Sequence, residues 1–319
     1  PVLFRSWASL VEAFLSGQVN LIHLLSPMSI WARYGSASPI KVVMRNHMAG
    51  SALTVAPDIA NIAGLGGKTV AIPFWYSIHN VVLQKILREH GLKVVEKNPQ
   101  AGEVKLSVMA PSDMVAALAN RAIAGFIVAE PFNAVAEAKG VGKVLRFSGD
   151  VWRDHACCVT LMQEHDIARR PEWVQNVVSA LVEGQAWAAG HRADTALMLS
   201  KQGPHKYTPH EDKVLQNVLA PAPEAWARYT ESGIIRHPEW HQRRIDFQPY
   251  PYPSYTEKLV EMLKETHIAG VNRFLDELSP QHVAQDLVDA RFVKQAVEAG
   301  QFQQLFGLNG WTREEMIAV

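Results

Sequence analysis

Apolar residues along this chain fall into short runs that alternate with longer amphipathic stretches, a pattern of strands followed by helices. Val2–Phe4 reads as a first strand, Ala8–Leu15 as a short helix stopped by Gly17, and Val19–Leu25 as a second strand. Ile40–Met44 follows as a third, after a turn over Tyr34–Pro39. Helices placed between strands predict a parallel sheet. Because the chain opens directly on a strand, a further piece upstream of Val2 is expected.

From Lys68 the alternation sharpens. It predicts strand Thr69–Pro73, helix Ser77–His90, strands Leu92–Val95 and Val104–Ala110, helix Ser112–Asn120, strand Ala124–Ala129 and helix Pro131–Lys139. This block closes on itself over residues 49–155. An apolar strand, Cys157–Met162, comes next, and then a mostly helical remainder carried by Pro171–Ala189 and Glu257–Leu278. Between those stretches, the proline-rich Gln248–Ser254 favours extended backbone and is expected to wrap a surface. No internal repeat or low-complexity tract interrupts the chain.

An α/β block inserted between two parts of another α/β unit makes two lobes joined by two crossing segments, here Arg45–Ala49 and Asp154–Ala156. The division expected is 1–48 for the start of the first lobe, 49–155 for the second, and 156–319 for completion of the first with a helical extension. In open α/β sheets, ligands sit beyond the carboxyl ends of the strands, which in this layout face the cleft.

Composition narrows the function classes. The 319 residues are 48% hydrophobic and 19% charged, enough to bury a sizeable core. Thirty-one basic residues balance thirty-one acidic ones, so no net field draws in nucleic acid or an anionic membrane. No apolar run reaches the roughly 18 residues of a membrane span. Pro1–Leu10 lacks the basic start and apolar stretch of a secretory signal, so the protein is either cytosolic or stripped of its signal. The two cysteines, Cys157 and Cys158, are adjacent, which makes a mutual disulfide strained; they read as small residues of a buried strand.

Several motifs fail as chemistry. Gly66-Gly67-Lys68-Thr69 resembles the end of a phosphate loop, but Ile62 stands where that loop needs a glycine and the lysine precedes a strand. The glycines therefore make a turn. His237 and His241 have the spacing of zinc ligands on a helix, but Pro238 intervenes and no third ligand is linked to them, so a solvated pair fits better. No serine sits in a nucleophile elbow.

The strand-to-helix junctions carry more. The strand ending at Pro73 runs into Trp75, Tyr76, Ser77 and His79, with Ser77 placed to cap the next helix and expose free N–H groups to an anionic or polar solute. Trp75 and Tyr76 either wall that solute or pack between helix and sheet. At the second junction Pro131 suits the first helical position and Glu130 ends an apolar strand, as a ligand contact, a lobe-closing partner or a solvated acid. At the third, Ser26 and Met28 open a helix after Val19–Leu25, and His23 reads as a satisfied core residue.

In this order, the junctions resemble the nitrate, sulfonate and bicarbonate class of periplasmic solute-binding proteins of ABC transporters. Ser6-Trp7, Ser16-Gly17-Gln18 and Ser26-Pro27-Met28 are similar to that family's first lobe, and Gly67–Pro73 with Ser77-Ile78-His79 to its entry into the second. Pro111–Ala117 resembles its helix after the second-lobe strand, and Ala129–Asn133 its Gly-Glu-Pro-Trp-Asn signature. Val151–His155 resembles its Ile-Trp-Lys-Asp-His return crossing. The likeness is good to about residue 190 and thin beyond.

It implies a two-lobed type II periplasmic-binding-protein fold, each lobe a mixed sheet flanked by helices. Ser26 and Met28 would form one wall, and Trp75, Tyr76, Ser77 and His79 the other. Glu130 and Asn133 would stand beside them, with Trp152 and His155 near the return crossing. The implied partners are a small anionic solute and the permease and ATPase of an importer. The implied address is periplasmic, or extracellular and membrane-tethered. A monomer without cofactor or metal is expected, and no enzyme.

One departure is the Ala156-Cys157-Cys158 run after the crossing histidine, where family members taking inorganic anions carry proline and charge. Together with Trp75 and Tyr76, it favours a solute with an organic body. On this likeness the family's usual first strand and helix are expected to be missing from the chain. Two alternatives share the scaffold: a solute-sensing subunit, and an enzyme resembling the fungal thiamine-pyrimidine synthases. The second lacks support in the cysteine-rich motif, since only Cys157 and Cys158 occur.

Overall fold

The computed structural model describes Phe4 and residues 6–240, 243–270 and 272–319. Val2 and Leu3 of the expected strand Val2–Phe4, and His241 of the histidine pair, lie outside the described residues. The helix Trp7–Leu15 forms as its pattern requires, with Ser6 Oγ accepting the Ser9 N–H at its start and Gly17, at φ 76°, just beyond its end.

Eleven strands are described: β1 Leu21–Leu25, β2 Ile40–Arg45, β3 Met48–Ala49, β4 Ser51–Val55, β5 Lys68–Ile72, β6 Lys93–Val95, β7 Glu103–Val108, β8 Gly125–Ala129, β9 Lys143–Phe147, β10 Cys158–Gln163 and β11 Ile245–Asp246. The first lobe holds a three-stranded sheet ordered β1-β10-β2, and the second a six-stranded sheet ordered β6-β7-β5-β8-β4-β9. In the second sheet β6, β7, β5 and β8 run parallel, as the alternation predicts, while β4 is antiparallel to both neighbours.

The parallel expectation fails in the first sheet. There β10 lies between β1 and β2 and is antiparallel to each. The cause is topological: β10 arrives from the second lobe on the return crossing and enters the sheet from the opposite end. Two strands of the second lobe, β4 and β9, have no counterpart in the sequence reading. Every residue of β4 is buried, which removes the alternation that marks a half-exposed strand.

The sequence pattern predicts that residues 156–319 complete the first lobe, but residues 192–240 pack on the second. Ala196, Leu215, Val218 and Leu219 cluster with Ala134, and Ile235 with Ala52, Val144 and Phe147. The 20-residue helix Pro171–Gly190 stays with the first lobe, packed on the helix Arg291–Ala299. The chain therefore crosses between lobes again near residue 191 and returns through β11.

The expected amphipathic stretch Glu257–Leu278 divides into a helix Pro253–Lys264 and a short turn of helix at Phe274–Glu277, with Gly270 at φ 97° between them. Of the expected extended stretch Gln248–Ser254, Gln248–Tyr252 takes no regular secondary structure and is buried rather than superficial, and Pro253 already opens the next helix. The Pro249 carbonyl accepts the Arg45 N–H at 2.7 Å, which sets this segment against the first crossing. The glycine turn before β5 is also as expected: Gly67 is at φ 75°, and a Cβ on Gly66 would meet the Ala101 carbonyl oxygen at 1.9 Å.

Candidate functional site

The two expected crossings pair with each other. Ala49 N–H donates to the His155 carbonyl at 2.9 Å, Cys157 N–H to His47 at 3.3 Å, and Asn46 N–H to Cys158 at 3.0 Å. Non-glycine residues Ala49 and Asp154 take left-handed backbone here, at φ 51° and 52°. β3 pairs on its other side with β11, so the hinge is a small stack of extended segments.

Buried polar side chains collect on this floor. His79, the second residue of the helix Ile78–Glu89, reaches across from the second lobe; its Nε2 is 2.9 Å from Ser51 Oγ and 3.9 Å from Cys157 Sγ. His155 is fully buried, with Nε2 2.8 Å from Ser148 Oγ and Nδ1 3.2 Å from the Ala156 carbonyl. Burial drives its pKa down to about 4, so the ring is neutral near pH 7. The Cys158 thiol donates to Cys157 Sγ at 3.9 Å and draws the Cys157 thiol below its usual range, while both cysteines remain free.

Arg45, at the end of β2, is fully buried beside this group. Its guanidinium donates one hydrogen bond to the Asp154 carbonyl and lies 5.3 Å from the Tyr255 ring centre. Burial lowers its pKa to about 10. Arg45 Nε and Nη1, His47 Nε2, His79 Nδ1 and the Tyr76 hydroxyl are all buried without a hydrogen-bond partner. Buried polar atoms are almost always paired, and each unpaired one costs about 1–3 kcal/mol.

The other sequence-predicted residues divide between this floor and the packing around it. Ser26 Oγ is 2.8 Å from the Tyr255 hydroxyl, and the Tyr255 hydroxyl donates to the Ala156 carbonyl at 2.8 Å. Met28, two residues on, lines an apolar cavity of about 470 Å3 with Val11, Leu15, Trp31 and Phe74. Ser77 caps its helix as predicted, accepting the Asn80 N–H at 3.1 Å and donating to the Phe74 carbonyl at 2.7 Å. Tyr76 lies between Trp31 and Phe274, at 6.3 and 6.2 Å between ring centres, and burial raises its hydroxyl pKa to about 12. Trp75 packs edge-on to His267 at 5.6 Å.

Glu130 and Asn133 are engaged elsewhere. Glu130 Oε1 accepts from Arg244 Nε at 2.6 Å and Oε2 from the Ala134 N–H at 3.2 Å. Arg244 also donates to Glu137 at 2.9 Å. Asn133 accepts from Thr54 Oγ1 and donates to the Val128 carbonyl, each at 2.8 Å. Pro131 is the residue before the helix Phe132–Ala138 rather than its first. Trp152 is fully buried, its ring tilted at 38° to that of Tyr255 with centres 5.0 Å apart, and its indole N–H donates to Glu315 at 2.7 Å.

Sequence reasoning missed Arg45, His47, Ser51, Ser148 and Tyr255. Only Arg45 carried a signal, as a lone cation closing an apolar strand at a crossing. No group of three or more His, Cys, Asp or Glu able to hold a metal ion occurs among the described residues, nor any helix long and apolar enough to cross a membrane.

The sequence profile of the NMT1-like family matches residues 1–200. A nitrate/nitrite binding protein, NrtA of Nostoc sp. strain PCC 7120, is 25% identical over 188 residues, which is 54% of this chain and 41% of that protein. The chain thus spans about two fifths of that relative's length. The structure of the periplasmic nitrate-binding protein NrtA from Synechocystis PCC 6803 superposes with a TM-score of 0.75 at 15% identity, covering 98% of this chain and 84% of that one. The periplasmic aliphatic sulphonate binding protein SsuA from Escherichia coli superposes at 0.57 with 17% identity, covering 90% and 80%. The fold is that of the periplasmic binding proteins.

Proposed function

The chain belongs to the NMT1-like family, and from that footing we propose that it is the substrate-binding component of an ABC importer, holding a small anionic solute between its lobes. The observation that carries this reading is the set of unpartnered buried donors at Arg45, His47, Tyr76 and His79, drawn from both sides of the crossings. A bound anion would accept from them and offset a cost that the protein alone leaves standing. Arg45 supplies a charge that the Ala156–Cys158 run lacks.

The solute has an organic body as well as an acidic head. Ser26 faces the polar floor, and Met28, on the same helix, faces the apolar cavity. An organic sulfonate or organic acid fits both better than bare nitrate or bicarbonate. Ser26, Met28, Tyr76, Ser77, His79 and His155 are assigned to the solute's surroundings, with Trp75 at the edge. Trp152, Glu130 and Asn133 support the walls. Lobe closure on the solute follows if the closed form binds it more tightly. The protein works as a monomer outside the cytoplasmic membrane, delivering to a permease and ATPase.

Calorimetric titration with nitrate, bicarbonate, taurine, longer alkanesulfonates and aromatic acids tests the reading. Heat is expected with at least one sulfonate or organic acid, stronger than with nitrate. Absence of heat across the panel would overturn the ligand class.

A further inference from the structure

The C-terminal segment lies along the return crossing. Arg153 N–H donates to the Met316 carbonyl at 3.0 Å, Ala318 N–H to Val151 at 2.9 Å, and Trp152 forms an antiparallel bridge with Ile317. Glu315 fastens this pairing. Its side chain, 4% exposed, accepts four hydrogen bonds: Trp152 Nε1 at 2.7 Å, Ser254 Oγ at 3.0 Å, and Arg313 Nε and Nη2 at 2.7 and 3.0 Å.

Arg313 extends the link. It stacks 4.6 Å from the Tyr252 ring centre and donates to the Asp154 carbonyl at 3.2 Å. That carbonyl belongs to a left-handed residue of the crossing and also accepts from Arg45. One backbone oxygen therefore joins the C-terminal segment to Arg45, whose other two guanidinium nitrogens have no partner. Any rotation of the lobes must change backbone angles in this stretch.

We infer that residues 311–319 form a strap that holds the return crossing in one conformation, with Glu315 as the positioning residue that fastens it. The strap limits how readily the lobes part, and through Asp154 it fixes Arg45. The consequence for Arg45 rests on the anion site proposed above; the mechanics of the strap do not.

Hydrogen–deuterium exchange on the full chain, without ligand, tests the strap whatever the solute turns out to be. Glu315→Ala is expected to speed exchange at Arg153 and Ala318 by about tenfold or more. It should also speed exchange at Asn46 and Ala49, which pair with the return crossing but not with the strap. Amides of the helices Ile78–Glu89 and Pro171–Gly190 should be unchanged. Glu315→Gln, which keeps one acceptor oxygen able to serve Trp152 and Arg313 Nη2 but not Arg313 Nε, should restore part of the protection, and it serves as the test variant if Glu315→Ala fails to fold. Faster exchange confined to residues 311–319 and their direct partners, with Asn46 and Ala49 unaffected, would overturn the inference.

Discussion

Arg244 and Arg45 are both buried guanidiniums, one 4% and the other 0% exposed, and the protein treats them in opposite ways. Arg244 meets two carboxylates, Glu130 and Glu137, and the Tyr229 hydroxyl at 3.3 Å. Arg45 meets one carbonyl and an aromatic face, and two of its three nitrogens have no partner. Burial opposes the charge on both; the carboxylates overcome it at Arg244, whose pKa is raised, and nothing comparable does at Arg45, whose pKa falls. The first is a fastening between the chain just before β11 and the second lobe. The second is a charge that the chain leaves partly unpaired, and it is the anion contact proposed above.

Removing the satisfied guanidinium should have the largest effect. Arg244→Met strands the buried Glu130 carboxylate, which burial already pushes toward its protonated form. A broken buried pair costs about 3–5 kcal/mol. Urea unfolding should show a loss of that order. A loss under about 1 kcal/mol would mean that the network is not a fastening.

Acid should act on the cleft floor more than on that network. His155 titrates at about 4 in the folded protein against 6.5 in the unfolded chain, so the unfolded state binds the extra proton more readily. Stability from this residue is complete above about pH 6.5 and falls as pH drops toward 4, by up to about 3 kcal/mol. Cys157, His79 and Arg45 are the charged or titratable groups closest in effect. Melting temperature followed from pH 8 to 4 should fall more steeply for the wild type than for His155→Gln. Parallel curves would remove His155 from the acid response, leaving His23, exposed on β1 rather than a core residue, and the half-buried His210, whose pKa values desolvation also lowers.

The difference between the two arginines also marks what the sequence could disclose. Strand-to-helix junctions were legible because they depend on local signals: Ser77 is a cap by its hydroxyl, and Gly67 a turn by its missing side chain. The four parallel strands of the second sheet were legible from alternation with helices. β4 was not, since a wholly buried strand has no period to read. Glu130 was placed correctly at a junction, but its partner is 114 residues away and no local pattern points to Arg244. The floor residues Arg45, His47, Ser51 and Ser148 are scattered over more than a hundred positions and meet only because two crossings run side by side. Pairing across the chain, more than residue type, separates a structural acid from a candidate ligand contact.

Arg45→Met gives the smallest expected change in stability and the most informative one. Methionine approximates the length of the arginine stem and brings no polar atom. The substitution removes two unpaired nitrogens and one hydrogen bond to the Asp154 carbonyl, which keeps Arg313 as donor. Replacing a buried charge by an apolar side chain of similar size is often neutral or stabilising. Urea unfolding should therefore stay within about 1 kcal/mol of the wild type or rise, in contrast with Arg244→Met. Affinity for whichever anion gives heat in the calorimetric panel should fall by tenfold or more, since a hydrogen bond to a charged group contributes about 1.5–3 kcal/mol. If stability collapses while affinity holds, Arg45 belongs with Arg244 as a fastening, and the cleft floor loses its claim to be a binding site.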